Sequence, residues 1–418
     1  METTLWVYAD WITPSHLNSK SSPLLIGELS ASRVRNKEHF SFSYAPEWLN
    51  SPHALPIDPE LQLYSGRQFS GDHNFRIFLD SCPDRWGRLL MKRREAVIAK
   101  QEQRRAKQLT EMDYLLGVHD LHRMGGIRFK QQPDGAFLDN NQRLAAPPIK
   151  SIRELEYAVS KIEQGDTSDP DYLKWLGMLI SPGSSLGGAR PKASVVDTDH
   201  SLWIAKFPSQ YDDHDIGAWE FVAYQLAINA GVEMSICKIQ RFSGPYHTFL
   251  TKRFDRHKQQ RLHFSSAMTQ LGYYDGDYEA SYLELAEFIT HHGSQSQYDL
   301  EHLWRRIVFN IAVSNTDDHL RNHGFILDDK GWKLSPAYDI NPVTPSYGLH
   351  LNISEDSNQL DFEVAMGVID YFRIKTDRAK TIQQEVCNSV KNWSKVASSI
   401  GINRAEQKQM ETAFRWKT

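Results

Sequence analysis

The segment N-T-D-D-H-L-R-N, Asn315 to Asn322, sets a carboxylate, Asp317, five residues ahead of a carboxamide, Asn322. A second carboxylate, Asp339, follows at the end of P-A-Y-D. These three groups suit phosphoryl transfer. One carboxylate can accept the proton of an attacking hydroxyl, and a carboxamide with a second carboxylate offers the hard oxygen ligands that Mg²⁺ prefers. In that scheme Asp317 is the base, while Asn322 and Asp339 hold the metal against nucleotide phosphates. The spacing D-x-x-x-x-N is also that of the catalytic loop of protein kinases. Each residue has a plainer use as well: Asp317 or Asp318 can be turn residues, and Asn322 tolerates a left-handed turn. His319 either orients Asp317 or the phosphates, or is a loop histidine with its bonds met locally.

A second chemical signal lies upstream. Ser181–Lys192 reads S-P-G-S-S-L-G-G-A-R-P-K, a loop whose backbone N–H groups could close around phosphate oxygens. It matches neither G-x-x-x-x-G-K-[ST] nor G-x-G-x-x-G, and a plain Gly-rich turn is the competing reading. The run S-L-W-I-A-K-F, Ser201–Phe207, then puts Leu202, Ile204 and Lys206 on one face of a strand. That face fits a sheet whose aliphatics roof a base while the ammonium reaches phosphate. An edge-strand lysine that discourages aggregation is the alternative.

Several elements must position these groups. Leu300, Leu303, Trp304, Ile307, Val308, Ile311 and Ala312 recur with helical periodicity, so an amphipathic helix delivers the chain into the Asp317 loop. After it, G-F-I-L (Gly324–Leu327) and W-K-L (Trp332–Leu334) flank a D-D-K-G turn. A hairpin there returns its second strand beside the start of its first, which should bring Asn322 and Asp339 close together. Upstream, Ala193–Val196 and Ser201–Phe207 form a hairpin, and a helix runs from Ile216 to about Ala230, with Gly231 as its stop. Glu220 on that helix is a candidate partner for Lys206. His247–Arg256 reads as a strand ending in a charged cluster, at the position of a hinge between two lobes.

The amino-terminal part is less explicit. Thr4–Asp10 alternates as a strand, and Pro- and Ser-containing connections follow to about Pro59. A helical region between Arg85 and Lys107 carries nine basic residues against Glu95 and Glu102. It is read as a solvated face, or as a surface for anions. Turn formers across Gln131–Pro148 mark a candidate boundary. The 418 residues allow two or three domains at roughly 100–200 residues each. A net charge of -4 excludes a chain that coats nucleic acid by bulk electrostatics. The three cysteines, Cys82, Cys237 and Cys387, make neither a disulfide scaffold nor a zinc-cysteine site. No apolar run reaches the roughly 18–20 residues of a membrane span, and the first residues lack a signal-peptide pattern. A cytoplasmic protein with no membrane partner is expected.

With these residues in view, the chain resembles the HipA family, the serine/threonine kinase toxins of bacterial type II toxin–antitoxin modules. The likeness rests on Ser184–Lys192, the I-A-K-F lysine, R-F-D-R (Arg253–Arg256), D-D-H-L-R-N (Asp317–Asn322) and A-Y-D (Ala337–Asp339). Asp80–Arg88 and Gly125–Phe129 look like that family's extra subdomain ahead of the kinase core. The resemblance implies an α+β fold, two-lobed and protein-kinase-like, with an N-terminal α/β subdomain and a mostly helical C-lobe. The corresponding segments are 1–135, 136–255 and 256–418. It implies ATP phosphates held by Gly187, Gly188, Ala189, Arg190, Pro191, Lys192 and Lys206, and adenine at Lys252, Arg253 and Phe254. His319, Leu320, Arg321, Asn322, Tyr338 and Asp339 would line the nucleotide, with Asp317 as base and Mg²⁺ on Asn322 and Asp339. It further implies autophosphorylation on Ser185, with Ser184 as neighbouring candidate, which would place negative charge where phosphates must bind. The implied partners are a translation-related protein substrate, such as an aminoacyl-tRNA synthetase, and a small DNA-binding antitoxin that carries any DNA contact. A small-molecule phosphotransferase and a catalytically weak ATP-binding partner of the antitoxin are the competing functions.

Overall fold

Alternation of apolar and polar residues builds the first sheet. Leu5, Val7 and Ala9 are buried along β1 (Glu2–Ala9), with Trp6 and Tyr8 half-buried on the other face. Residues 24–44, expected to be connections, instead form β2 (Leu24–Val34) and β3 (Lys37–Tyr44). Their serines sit across from one another, Ser30 opposite Ser41, and the Ser30 hydroxyl lies 3.0 Å from that of Thr4. Small hydroxyls that pair across strands can be buried as readily as apolar residues. The serine content therefore disguised a sheet interior as loop.

The computed structural model describes residues 2–14, 17, 22–35, 37–71, 73–141, 146–165, 167, 169–180, 190–277 and 280–417. They fall into two compact units, residues 1–210 with 255–265, and residues 211–254 with 266–418. In the first unit, β4 (Arg67–Phe69) and β5 (Ile127–Lys130) complete an antiparallel sheet of order β4-β3-β2-β1-β5. Its core includes Leu5, Ile26, Phe42, Phe78 and Phe129, all 0% exposed. Helix α1 (Arg85–Gln101) starts on Asp84, whose carboxylate accepts the Gly87 N–H at 2.8 Å. It ends six residues before Lys107, because Gln103 turns left-handed (φ +53) and Arg104 folds back onto Glu95 and Glu102 at 2.5 and 2.6 Å. Arg88 makes a two-pronged pair with Glu111 at 2.6 Å, so much of the basic charge is matched within the unit. Helices α2 (Ile152–Gln164) and α3 (Tyr172–Ile180) then precede a hairpin of β6 (Lys192–Val196) and β7 (Leu202–Lys206).

The second unit is mostly helical. Helix α4 (Ile216–Asn229) is capped by Asp215, and β8 (Cys237–Arg241) pairs antiparallel with β9 (His247–Lys252). Helix α5 (Tyr282–His292) begins with a Ser281–Glu284 capping box. Helix α6 (Ser296–Val313) buries every apolar position named above, from Leu300 to Ala312. The hairpin β10 (Gly324–Asp328) and β11 (Gly331–Leu334) follows, and α7 (Thr376–Val390) and α8 (Trp393–Ile400) lie further along the unit. Among the described residues, no helix is long and apolar enough to cross a membrane.

Candidate active site

Helix α6 stops at Ser314, which adopts a left-handed conformation (φ +51) and turns the chain out of the core. The Asp317 carbonyl then accepts two bonds: the His319 N–H at 3.1 Å and the Asn322 side-chain amide at 3.0 Å. The five-residue spacing is thus a closed loop, and it leaves the Asp317 carboxylate exposed. Because the Asn322 amide nitrogen is spent on that carbonyl, its Oδ1 faces elsewhere; this oxygen is buried and without a hydrogen-bond donor. A buried carboxamide oxygen left unpaired is costly unless something electropositive meets it.

The hairpin closes as its sequence implies. Phe325 pairs with Leu334, the Ser335 N–H bonds to the Gly324 carbonyl at 2.9 Å, and the Tyr338 hydroxyl donates to the Arg321 carbonyl at 2.7 Å. The residues just before Asn322 and Asp339 are therefore tied directly together. Asp339 has φ +59, a backbone state that a non-glycine residue holds only when its surroundings impose it. Its Oδ1 accepts the Asn341 amide at 3.2 Å, and Asn341 Oδ1, also buried, has no donor. Two donorless amide oxygens and a carboxylate, on segments that the Tyr338–Arg321 bond ties together, are the kind of hard oxygen groups that Mg²⁺ prefers. Among the described residues no cluster of three or more His, Cys, Asp or Glu could hold a metal ion.

Asp318, one residue past Asp317, does structural work. It is 3% exposed, and its Oδ2 receives the Tyr282 hydroxyl, the Asn310 amide at 2.7 Å and His323 Nε2 at 2.8 Å. Burial alone would raise this carboxyl, but His323 and Tyr282 hold it below its ordinary value. Burial pushes the Tyr282 phenol well above its usual range. His319 is bonded to Asp317 through the backbone only; its Nδ1 is buried and unpaired, and burial lowers the imidazole despite three nearby aspartates. Arg321 pairs at 2.5 Å with Asp275, and Leu320 is buried. Arg253 is buried just past β9, Lys252 ends that strand, and the Phe254 ring lies 5.4 Å from that of Tyr338. Asn310, Asn315, Tyr282, His323 and Asn341 escaped the sequence reading. The signal the sequence offers is Asn310 within the otherwise apolar last turn of α6, with Asn315 just beyond its end.

In the first unit, Ser184, Ser185, Gly187, Gly188 and Ala189 lie outside the described residues. Arg190 donates to the Phe207 carbonyl at 3.2 Å, and Pro191 accepts the Phe207 N–H at 2.9 Å, so both knit the hairpin together. Lys206, at the end of β7, is half-buried and stands directly across from Lys192. Lys192, expected at the phosphates, faces a carboxylate in this structure. It is 3% exposed and its ammonium lies 2.9 Å from Asp84, so its charge is matched inside the protein. Glu220 is buried on α4.

The model of the HipA-like C-terminal domain family matches residues 184–394, half of the chain and all of the loop, hairpin and asparagine–aspartate segments described. The chain belongs to this family. HipA-like sequence likeness extends to a Haemophilus influenzae protein named as an inferred kinase, 28% identical over 185 residues, which are 39% of this chain and 54% of that protein. A Sinorhizobium fredii protein, Y4mE, named likewise, is 24% identical over 182 residues, 37% of this chain and 41% of that one. The matches thus span about half the length of these curated relatives. A chain from the solved toxin–antitoxin complex of HipA, HipB and operator DNA of Shewanella oneidensis MR-1 shares the fold over 93% of both chains. Its TM-score is 0.65 at 19% identity. The α+β architecture is therefore that of HipA over nearly the full length.

Proposed function

We propose that this chain is an ATP- and Mg²⁺-dependent protein serine/threonine kinase, the cytoplasmic toxin of a toxin–antitoxin module. The observation that carries the reading is the Asn322 side chain: its amide closes the Asp317 loop while its buried oxygen is left without a donor. When bound, Mg²⁺ neutralises charge on the transferring phosphates. Asp317, exposed at the loop tip, accepts the proton of the attacking serine or threonine hydroxyl. Asn322 and Asp339 would hold the cation, and Lys206 with Gly187 to Ala189 are the residues assigned to the phosphates. Lys252 to Phe254 receive the base.

The division into an accessory part (1–135), an N-lobe (136–255) and a C-lobe (256–418) belongs to the same proposal. So do a translation-related protein substrate and a small DNA-binding antitoxin that carries the DNA contact; in support, the Shewanella complex joins HipA with HipB and operator DNA. The test is incubation with Mg²⁺ and γ-labelled ATP, wild type against Asp317→Ala, with mass spectrometry of the 181–192 peptide. Label on Ser185 or Ser184 that vanishes in Asp317→Ala is expected. Absence of label there and on any added protein would overturn the kinase reading. ATP binding without turnover would favour a nucleotide-binding partner of the antitoxin, and transfer only to small acceptors a small-molecule phosphotransferase.

A further inference from the structure

A chain of side-chain amides joins the Asp317 loop to the Asp339 segment. Asp318 Oδ2 accepts the Asn310 amide at 2.7 Å, and Asn310 Oδ1 accepts the Asn315 amide at 3.1 Å. Asn315 Oδ1 accepts the backbone N–H of Asn341 at 3.2 Å, and the Asn341 amide donates to Asp339 Oδ1 at 3.2 Å. The two ends dictate every orientation between them. A carboxylate only accepts, so Asn310 must show it an amide nitrogen; that turns the Asn310 oxygen toward Asn315, which must donate in turn. The remaining Asn315 oxygen then meets a backbone N–H, which only donates. Neither Asn310 nor Asn315 can flip its amide without breaking two bonds.

Asn310 and Asn315 are 1% and 0% exposed, so water cannot replace those bonds. Asn315 is a crossing point: its side chain bonds both the end of α6 and the segment that carries Asp339. A backbone bond from Val343 to Ser314 at 3.2 Å runs alongside it.

We infer that Asn315 is a positioning residue, which sets the Asp339 carboxylate and the Asn341 oxygen relative to the Asp317–Asn322 loop. The inference deepens the kinase reading and rests on it for its catalytic consequence, though the positioning itself does not need ATP. It assigns Asn341 a part as well, because the bond to Asp339 leaves its own oxygen facing away, buried and donorless.

The test uses the full chain, comparing wild type with Asn315→Ala and with Asn315→Asp, which keeps the acceptor for the Asn341 N–H. Hydrogen exchange of the ligand-free protein comes first. Faster exchange is expected in 337–343 of Asn315→Ala, with the 324–334 hairpin still protected and Asn315→Asp closer to wild type. Titration with Mn²⁺ and ATP, read by the resonance of free Mn²⁺, should show affinity about tenfold weaker in Asn315→Ala. Label transfer should fall about 100-fold in kcat with KM for the acceptor little changed, the scale expected when reacting groups move by roughly 1 Å. If Asn315→Ala does not fold, Asn315→Ser, whose shorter side chain cannot reach the Asn341 N–H, carries the same exchange and Mn²⁺ comparisons. Unchanged exchange in 337–343 together with Mn²⁺ affinity within twofold of wild type would overturn the inference. A wild type that transfers no label would overturn the kinase reading alone, since exchange still decides the positioning role.

Discussion

The pairing of Lys192 with Asp84 yields a prediction whose size follows from the geometry. The two side chains are 4% and 3% exposed and 2.9 Å apart, far along the chain from one another. Lys192→Met keeps the aliphatic bulk and strands the Asp84 carboxylate in the interior. The penalty is capped, because that carboxyl can take up a proton instead. The cost at pH 7 is then about 1.4 kcal/mol for each of the roughly three pH units above an ordinary aspartate, about 4 kcal/mol. Asp84→Asn strands the lysine and is capped at a similar ~4 kcal/mol, while asparagine still caps α1 through Gly87. The double variant strands nothing and should cost only about 1–2 kcal/mol. A double-mutant cycle in urea should therefore return a coupling of at least ~2 kcal/mol. The sign with pH is also set. In Lys192→Met the folded carboxyl titrates above the unfolded one, so the deficit is small near pH 4 and grows as pH rises. ATP affinity of the double variant should stay within about threefold of wild type. A coupling under ~0.5 kcal/mol, or a loss of ATP affinity of tenfold or more in the folded double variant, would refute the assignment of Lys192 to Asp84 rather than to phosphate.

Two further outcomes are expected. Asp318→Ala leaves three buried donors facing a void, and should destabilise the protein by about 3 kcal/mol or more in denaturant, with Asp318→Asn milder because one acceptor oxygen survives. A change below ~1 kcal/mol for Asp318→Ala would show that the cluster is not needed. His263, buried and stacked 4.4 Å from Trp11, has its imidazole pushed down to about 3 by burial. The unfolded chain therefore binds a proton that the folded one refuses, and stability should fall as pH drops from about 6.5 toward 3. His263→Phe should flatten that limb, by roughly 2 kcal/mol at pH 5 relative to pH 7.5 in pH-dependent urea midpoints.

What could be read in the sequence was whatever acts over a short span. The Asp317-to-Asn322 loop closes on itself through one amide-to-carbonyl bond, so spacing alone describes it. The hairpin that returns Tyr338 to Arg321 is equally local, and helix α6 declares itself by periodicity. What stays hidden has the opposite cause. Nothing near Lys192 in the sequence announces its contact with Asp84, which caps the start of α1. Serine content makes residues 24–44 look like connections, whereas pairing across strands decides whether a serine is in a loop or in a sheet.

The amides are the instructive case. An asparagine in sequence is equally a cap, a turn former or a ligand, because its side chain both donates and accepts. It acquires a single meaning only when both of its ends are fixed. Asn322 is fixed at one end by a carbonyl, and its free oxygen follows; Asn315 is fixed at both ends, and a positioning role follows. On the proposed reading the same residue type serves chemistry in one place and geometry in the other, and the difference lies in whether its oxygen meets a donor. Replacing Asn322 should therefore act on the cation directly, whereas replacing Asn315 should act through the segment that bears Asp339. Hydrogen exchange separates the two, since Asn322→Ala has no bond to the 337–343 segment to lose and Asn315→Ala has one.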